Sequence, residues 1–144
     1  MVERLLQKNI EKRLKDEKAI ILFGPRQVGK STLMELMENQ FEKPIANWNS
    51  DQSDIRNILQ NPTSDFLKIL IGNAKTLIID EAQRIENIGI IIKLITDQIK
   101  NVKVIATGSS SFDVANKINE PLTGRKWEYQ LFPLSFEEMS NQNG

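Results

Sequence analysis

Histidine and cysteine are both absent from the 144 residues. No imidazole can serve as a base, a triad partner or a metal ligand. No thiol can act as a nucleophile, pair in a disulfide or hold zinc or an iron–sulfur cluster. Neither charge is in excess, with 19 Lys plus Arg against 19 Asp plus Glu, so bulk electrostatics do not favour DNA or a membrane surface as partner. Apolar runs are a few residues long, against the roughly 20 needed to span a bilayer, and Met1–Leu6 carries acid early, with no signal-peptide core. Repeats, low-complexity tracts and linkers are missing too. A single cytoplasmic domain with one core is expected. Any catalysis must rest on carboxylates, lysine, arginine, hydroxyls, backbone amides and a borrowed metal.

Val2, Leu5, Leu6, Ile10 and Leu14 recur at helical spacing, which predicts an amphipathic helix over residues 2–17. Within residues 1–18, six cations and four carboxylates make a solvated outer face. Ala19–Phe23 is a short unbroken apolar run of the kind buried on both faces of a parallel sheet. The pattern then predicts a helix over 30–40, a weaker strand over 44–48, and short helices over 51–59 and 65–71. A strand follows at 76–79, and Ile85, Ile88, Ile92, Ile95 and Ile99 predict a long helix. Next come a strand at 102–106, a short helix near 111–117, a loop over 119–124 and a last strand over 126–131. Residues 1–18 form an N-terminal helix packed on the core, 19–139 the main domain and 140–144 a frayed tail. Strands alternating with helices predict a three-layer α/β/α sandwich with a mostly parallel sheet. Ligands of such folds sit at the carboxyl ends of the strands, where Gly24, Asp80 and Ser109 should converge.

Gly24-Pro25-Arg26-Gln27-Val28-Gly29-Lys30-Ser31 fits G-x-x-x-x-G-K-[ST] at every fixed position and joins a buried strand to a helix. Chance would produce the pattern somewhere in a chain of this composition in roughly 0.3% of cases. Glycines let backbone amides wrap an anion closely, and the helix N-terminus adds about half a positive charge. Lys30 is then expected on the β- and γ-phosphates, the Ser31 hydroxyl on Mg²⁺ and Thr32 on the α-phosphate. The bland alternative is a strand–turn–helix connection that merely uses glycine. Asp80-Glu81 closes a hydrophobic strand. Asp80 suits Mg²⁺ held mostly through water, and Glu81 suits preparation of an attacking water. An acidic pair after a strand can equally be a helix cap. Ser109, with Thr107 as its competitor, stands where a γ-phosphate sensor is expected, although hydroxyls there can also cap the next helix.

The strand interposed before the acidic pair resembles the additional-strand, catalytic-glutamate division of P-loop NTPases. That resemblance implies a five-stranded sheet of order 5-1-4-3-2. Gly-Pro-Arg-Gln-Val-Gly-Lys-Ser-Thr-Leu (24–33), Ile-Asp-Glu-Ala-Gln (79–83), Thr-Gly-Ser-Ser (107–110), Leu-Thr-Gly-Arg (122–125) and Pro-Leu-Ser-Phe-Glu-Glu (133–138) occur in that order. Together they resemble the AAA-like ATPase domain of uncharacterised bacterial and archaeal ATP-binding proteins, from about Arg4 to Met139. By that similarity Arg125 is the candidate charge stabiliser on the γ-phosphate, against the alternative of a surface salt bridge or loop anchor. In the family a long C-terminal region of nuclease-like or winged-helix character usually follows. The resemblance therefore implies an ATPase domain cut from a longer protein, or a shortened member.

The residues and the resemblance together predict Mg²⁺-dependent binding and hydrolysis of ATP at its β–γ bond, with ADP as product. A homo-oligomer whose neighbour supplies an arginine, such as Arg56 or Arg84, is compatible with this. The rival is a nucleotide-gated scaffold or DNA-associated switch that binds ATP with little hydrolysis; Glu81 speaks against it. A small-molecule kinase fits less well, because the six arginines are not clustered into a lid.

Overall fold

The computed structural model of the chain describes residues 2–24, 30–108 and 124–130. Helix α1 (Val2–Lys12) leads into β1 (Ala19–Phe23), then α2 (Lys30–Met37) with a 3₁₀ turn at Glu38–Gln40. β2 (Ile45–Asn49), α3 (Ser53–Ile58), α4 (Ser64–Ile71) and β3 (Thr76–Asp80) follow. A second 3₁₀ turn, Ala82–Arg84, precedes α5 (Ile88–Gln98), β4 (Lys103–Gly108) and β5 (Lys126–Gln130). The five strands form one sheet in the order β2-β3-β4-β1-β5, with every adjacent pair parallel. Read from the other edge, this is the expected 5-1-4-3-2.

Alternation along the strands splits the core in two. Ala19, Ile21 and Phe23 of β1 join Leu77, Ile79, Val104 and Ala106 beneath α4 and α5, where Leu67, Ile88, Ile91, Ile92 and Ile95 are buried. Ile20, Leu22 and Ile105 point to the other face, onto Ile10 of α1 and Leu33 and Met37 of α2. Both faces of the central strands are thus covered, which is why β1 reads as an unbroken apolar run. α4 starts where Thr63 accepts the Phe66 N–H at 3.1 Å and stops at Gly72, whose φ of 66° favours a residue without a Cβ.

Two helices are shorter than their periodicity predicts. α1 ends at Lys12, followed by tightened bonds from Arg13 N–H to the Ile10 carbonyl (2.9 Å) and from Leu14 N–H to Glu11 (3.3 Å). Asp16 competes with further helix by accepting the Lys18 N–H at 2.9 Å. α5 starts at Ile88 instead of Ile85. Ile85 is buried as its spacing predicts, but its backbone is extended and closes the preceding turn. The expected helix near 111–117, the 119–123 part of the loop and the 140–144 tail lie outside the described residues. No helix among the described residues is long and apolar enough to cross a membrane.

Candidate active site

The carboxyl ends of β1, β3 and β4 meet. Phe23 pairs with Gly108, and the Gly24 N–H donates to the Gly108 carbonyl at 3.0 Å. On the other side of β4, Ile79 pairs with Ala106, and the Thr107 hydroxyl donates to Asp80 Oδ1 at 2.5 Å. Gly24, Asp80 and Thr107 therefore share one edge despite their separation in sequence. Lys30, Ser31 and Thr32 form the first turn of α2, the helix that follows β1. Pro25, Arg26, Gln27, Val28, Gly29 and Ser109 lie outside the described residues, as do the side chains of Lys30, Ser31 and Thr32.

Glu81 carries the most unusual backbone of the edge, at φ 53° and ψ 47°. A left-handed conformation is costly for a residue with a Cβ, and such strain gathers at functional sites. Several contacts hold it. Its N–H donates to Asp80 Oδ1 at 3.1 Å, its carbonyl accepts the Arg84 N–H at 3.0 Å, and the Gln83 side-chain amide donates to its Oε2 at 2.7 Å. The residue is only 9% exposed. Asp80 Oδ1 thus receives two protons, from Glu81 N–H and Thr107, which orients the carboxylate and leaves Oδ2 without a protein partner among the described residues.

Two of the predicted site residues have defined partners. The proton of Thr107 is committed to Asp80 and the residue is 2% exposed. In this geometry the Thr107 hydroxyl helps to orient the Asp80 carboxylate. Arg125 is at the amino edge. Its carbonyl accepts the Ala19 N–H at 2.9 Å, at the start of β1, while its Nε meets Asp97 Oδ1 at 2.9 Å near the end of α5. About 16 Å of strand separates that edge from Gly24, more than an arginine side chain covers. Since β5 runs parallel to β1, a residue just before β5 must stand at the amino edge. Arg125 therefore stands at the amino edge, bonded to Asp97, away from Gly24 and Asp80. Arg56 and Arg84 are engaged nearby. Arg56 donates to the carbonyls of Ser50 (2.9 Å) and Asp51 (2.8 Å), and Arg84 meets Asp51 at 3.4 Å.

Sequence reasoning passed over two residues of this edge. Gln83 was within reach of it, as an amide two positions after a strand-ending carboxylate. Ser50 follows β2, and its N–H donates to the Asp80 carbonyl at 3.0 Å. Its side chain is fully buried, and the hydroxyl finds no partner among the described residues. Leaving a buried hydroxyl unpaired is costly, so Ser50→Ala should stabilise the fold by about 1 kcal/mol. A higher urea midpoint at unchanged slope would show it; a lower midpoint would mean that the hydroxyl is satisfied in solution.

A cleft of about 650 Å³ opens at the amino edge, between Asp16, Glu42, Lys75, Thr96 and Lys103. The buried Lys103 there already spends its three protons: its Nζ donates to the Asp16 carbonyl (3.1 Å), Asp16 Oδ1 (2.8 Å) and the Lys18 carbonyl (2.5 Å). That edge is built for holding the chain together.

Solved structures share this fold. The Walker-type ATPase of Pyrococcus abyssi superposes with a TM-score of 0.61 at 18% identity, covering 91% of this chain and 53% of that one. The Holliday junction branch migration motor RuvB of Thermotoga maritima gives 0.56 at 15% identity, covering 90% and 42%. Uncharacterised proteins of Mycobacterium bovis and Mycobacterium tuberculosis are each 27% identical over 123 residues. That stretch is 85% of this chain, which spans only about a quarter, 26%, of those curated relatives. The family described as "AAA domain" matches residues 16–140. With its parallel P-loop sheet, strand-ending Asp80-Glu81 and G-x-x-x-x-G-K-[ST] sequence, the chain belongs to the AAA domain family of P-loop ATPase domains.

Proposed function

We propose that the chain binds ATP with Mg²⁺ at the carboxyl edge of its sheet and hydrolyses the β–γ bond, as one domain of a longer cytoplasmic protein. The observation that carries this reading is the convergence of Gly24, Asp80 and a strained, buried Glu81 beside the end of β4. Lys30 and the amides of residues 24–29 would hold phosphate charge at the start of α2. Glu81 would take the proton of the attacking water, as the one buried carboxylate of this edge among the described residues. Ser109 stays the proposed sensor of the γ-phosphate.

The donor set fits magnesium. Among the described residues no three carboxylates gather into a cage. This ion needs none, since it keeps several waters and takes one or two protein ligands plus substrate phosphates. Asp80, oriented through Oδ1, and the Ser31 hydroxyl would hold it, and when bound it would neutralise charge on the β- and γ-phosphates.

Arg125 stands at the far edge, bonded to Asp97, and would not itself stabilise the transferring phosphoryl group. An arginine finger is worth roughly 10³ to 10⁵ in rate, so the isolated chain should turn over very slowly. A second copy or a further region of a longer protein is the proposed source of that charge. The test is phosphate release from Mg·ATP as a function of protein concentration, with nucleotide binding measured in parallel. Constant turnover per chain marks a self-contained ATPase, and turnover that climbs with concentration marks a site completed by a neighbour. Nucleotide binding without any release above the Glu81→Gln level overturns hydrolysis by this chain.

A further inference from the structure

We infer that Gln83 is a positioning residue for Glu81: its side-chain amide holds the carboxylate in the orientation needed to receive a proton from water. The inference rests on the reading of Glu81 as the base. Its starting point is the 2.7 Å bond from Gln83 Nε2 to Glu81 Oε2.

Three features make this more than a chance contact. The final torsion of a glutamate is broad and nearly two-fold, so an unsupported carboxylate samples many orientations, whereas a reacting group must stay within about 0.5 Å and 10–20°. The amide removes that freedom. Secondly, the turn fixes where the amide starts. Arg84 N–H bonds to the Glu81 carbonyl and Ile85 N–H to the Ala82 carbonyl, each at 3.0 Å. Ala82 and Ile85, at 1% and 2% exposure, pin the turn into the core. Gln83, between them and half-buried, reaches back over two residues. Thirdly, the donor is neutral. A lysine or arginine in the same place would hold the carboxylate as firmly but would weaken it as a base by stabilising its charge. An amide orients with far less of that cost.

Steady-state hydrolysis of Mg·ATP by the full chain, beside nucleotide binding, tests the assignment. Gln83→Met keeps the length of the side chain and loses the donor; Gln83→Glu keeps the shape, loses the donor and adds a like charge. Both should lower kcat, by roughly 10- to 100-fold, with KM and ATP affinity within twofold of the parent. Gln83→Asn, which retains the donor on a shorter stem, should recover part of the loss. Thermal unfolding of each variant checks that the fold is intact, and Gln83→Glu gives a second reading should the methionine variant fold poorly. A parent that hydrolyses and a Gln83→Met variant with unchanged kcat would overturn the role of Gln83 alone. So would a kcat that falls only in step with ATP binding or folded fraction. A parent with no release above the Glu81→Gln level overturns both readings together, since no reaction is left for Gln83 to serve.

Discussion

Phosphate release should fall by about 10²- to 10⁴-fold when Glu81 becomes glutamine, while ATP binding persists. The two halves of that expectation come from different groups. Binding is assigned to the 24–32 segment and the metal to Ser31 and Asp80, none of which the substitution touches. Proton transfer is assigned to the carboxylate, and glutamine has the same shape but no basic oxygen. The backbone demand is also unchanged, because glutamine bears the same Cβ into the left-handed region at φ 53°. Loss of activity therefore cannot be put down to a relaxed turn. Single-turnover release at saturating Mg·ATP, beside titration with a fluorescent nucleotide, separates the outcomes. A variant as fast as the parent would remove Glu81 from the chemistry. A variant that loses binding and release alike would make Glu81 a structural cap, the alternative that a strand-ending acidic pair always carries.

What the sequence disclosed follows from locality. β1 and β4 are buried on both faces, so their identity is written in consecutive residues such as Ala19–Phe23. The convergence at the carboxyl edge follows from parallel strands alone. What stayed hidden depends on partners far along the chain. α1 stops at Lys12 because Asp16 belongs to a cluster with Lys103 and Trp127, which are 87 and 111 residues away. Periodicity found the burial of Ile85 but not its extended backbone, because burial fixes a side chain's face and says nothing about φ and ψ. The candidate role of Arg125 rests on resemblance in a string of motifs, which carries no position. Its place is set by the register of β5 on β1, where Ala19 pairs with Lys126, and this sends it to the opposite edge.

That opposite edge carries the second large expected effect: Asp16→Ala should destabilise the fold by about 2 kcal/mol. Asp16 receives the Lys103 ammonium on Oδ1 at 2.8 Å and the Trp127 indole N–H on Oδ2 at 2.7 Å. Arg13 and Lys18 lie over the Trp127 ring, 3.9 and 4.4 Å from its centre. One carboxylate thus ties the segment before β1 to both β4 and β5. Breaking a buried pair costs roughly 3–5 kcal/mol because the remaining charge is stranded. The smaller figure reflects solvent reaching Asp16, whose side chain is 38% exposed. Lys103→Met should cost less than about 1 kcal/mol, since it removes the charge that needs a partner. In that background Asp16→Ala should lose most of its effect, and an undiminished cost there would refute the pairing as its source. The pH dependence has a definite sign. Burial works to raise the Asp16 carboxyl, but hydrogen bonds from Lys103, Trp127 and the Lys18 N–H bring it below the ordinary 3.8. The unfolded chain then binds more protons as pH falls past that value, so the contribution is whole above 3.8 and drains away below it. For Lys103, burial lowers the amine from 10.5 and Asp16 only partly restores it. Stability should therefore also rise with pH across the alkaline window that ends near 10.5. Urea midpoints from about pH 3 to about pH 10 should show both slopes in the parent. The acid slope should flatten in Asp16→Ala and the alkaline slope in Lys103→Met. A parent and variants with parallel profiles would mean that neither group is held in the folded state as described.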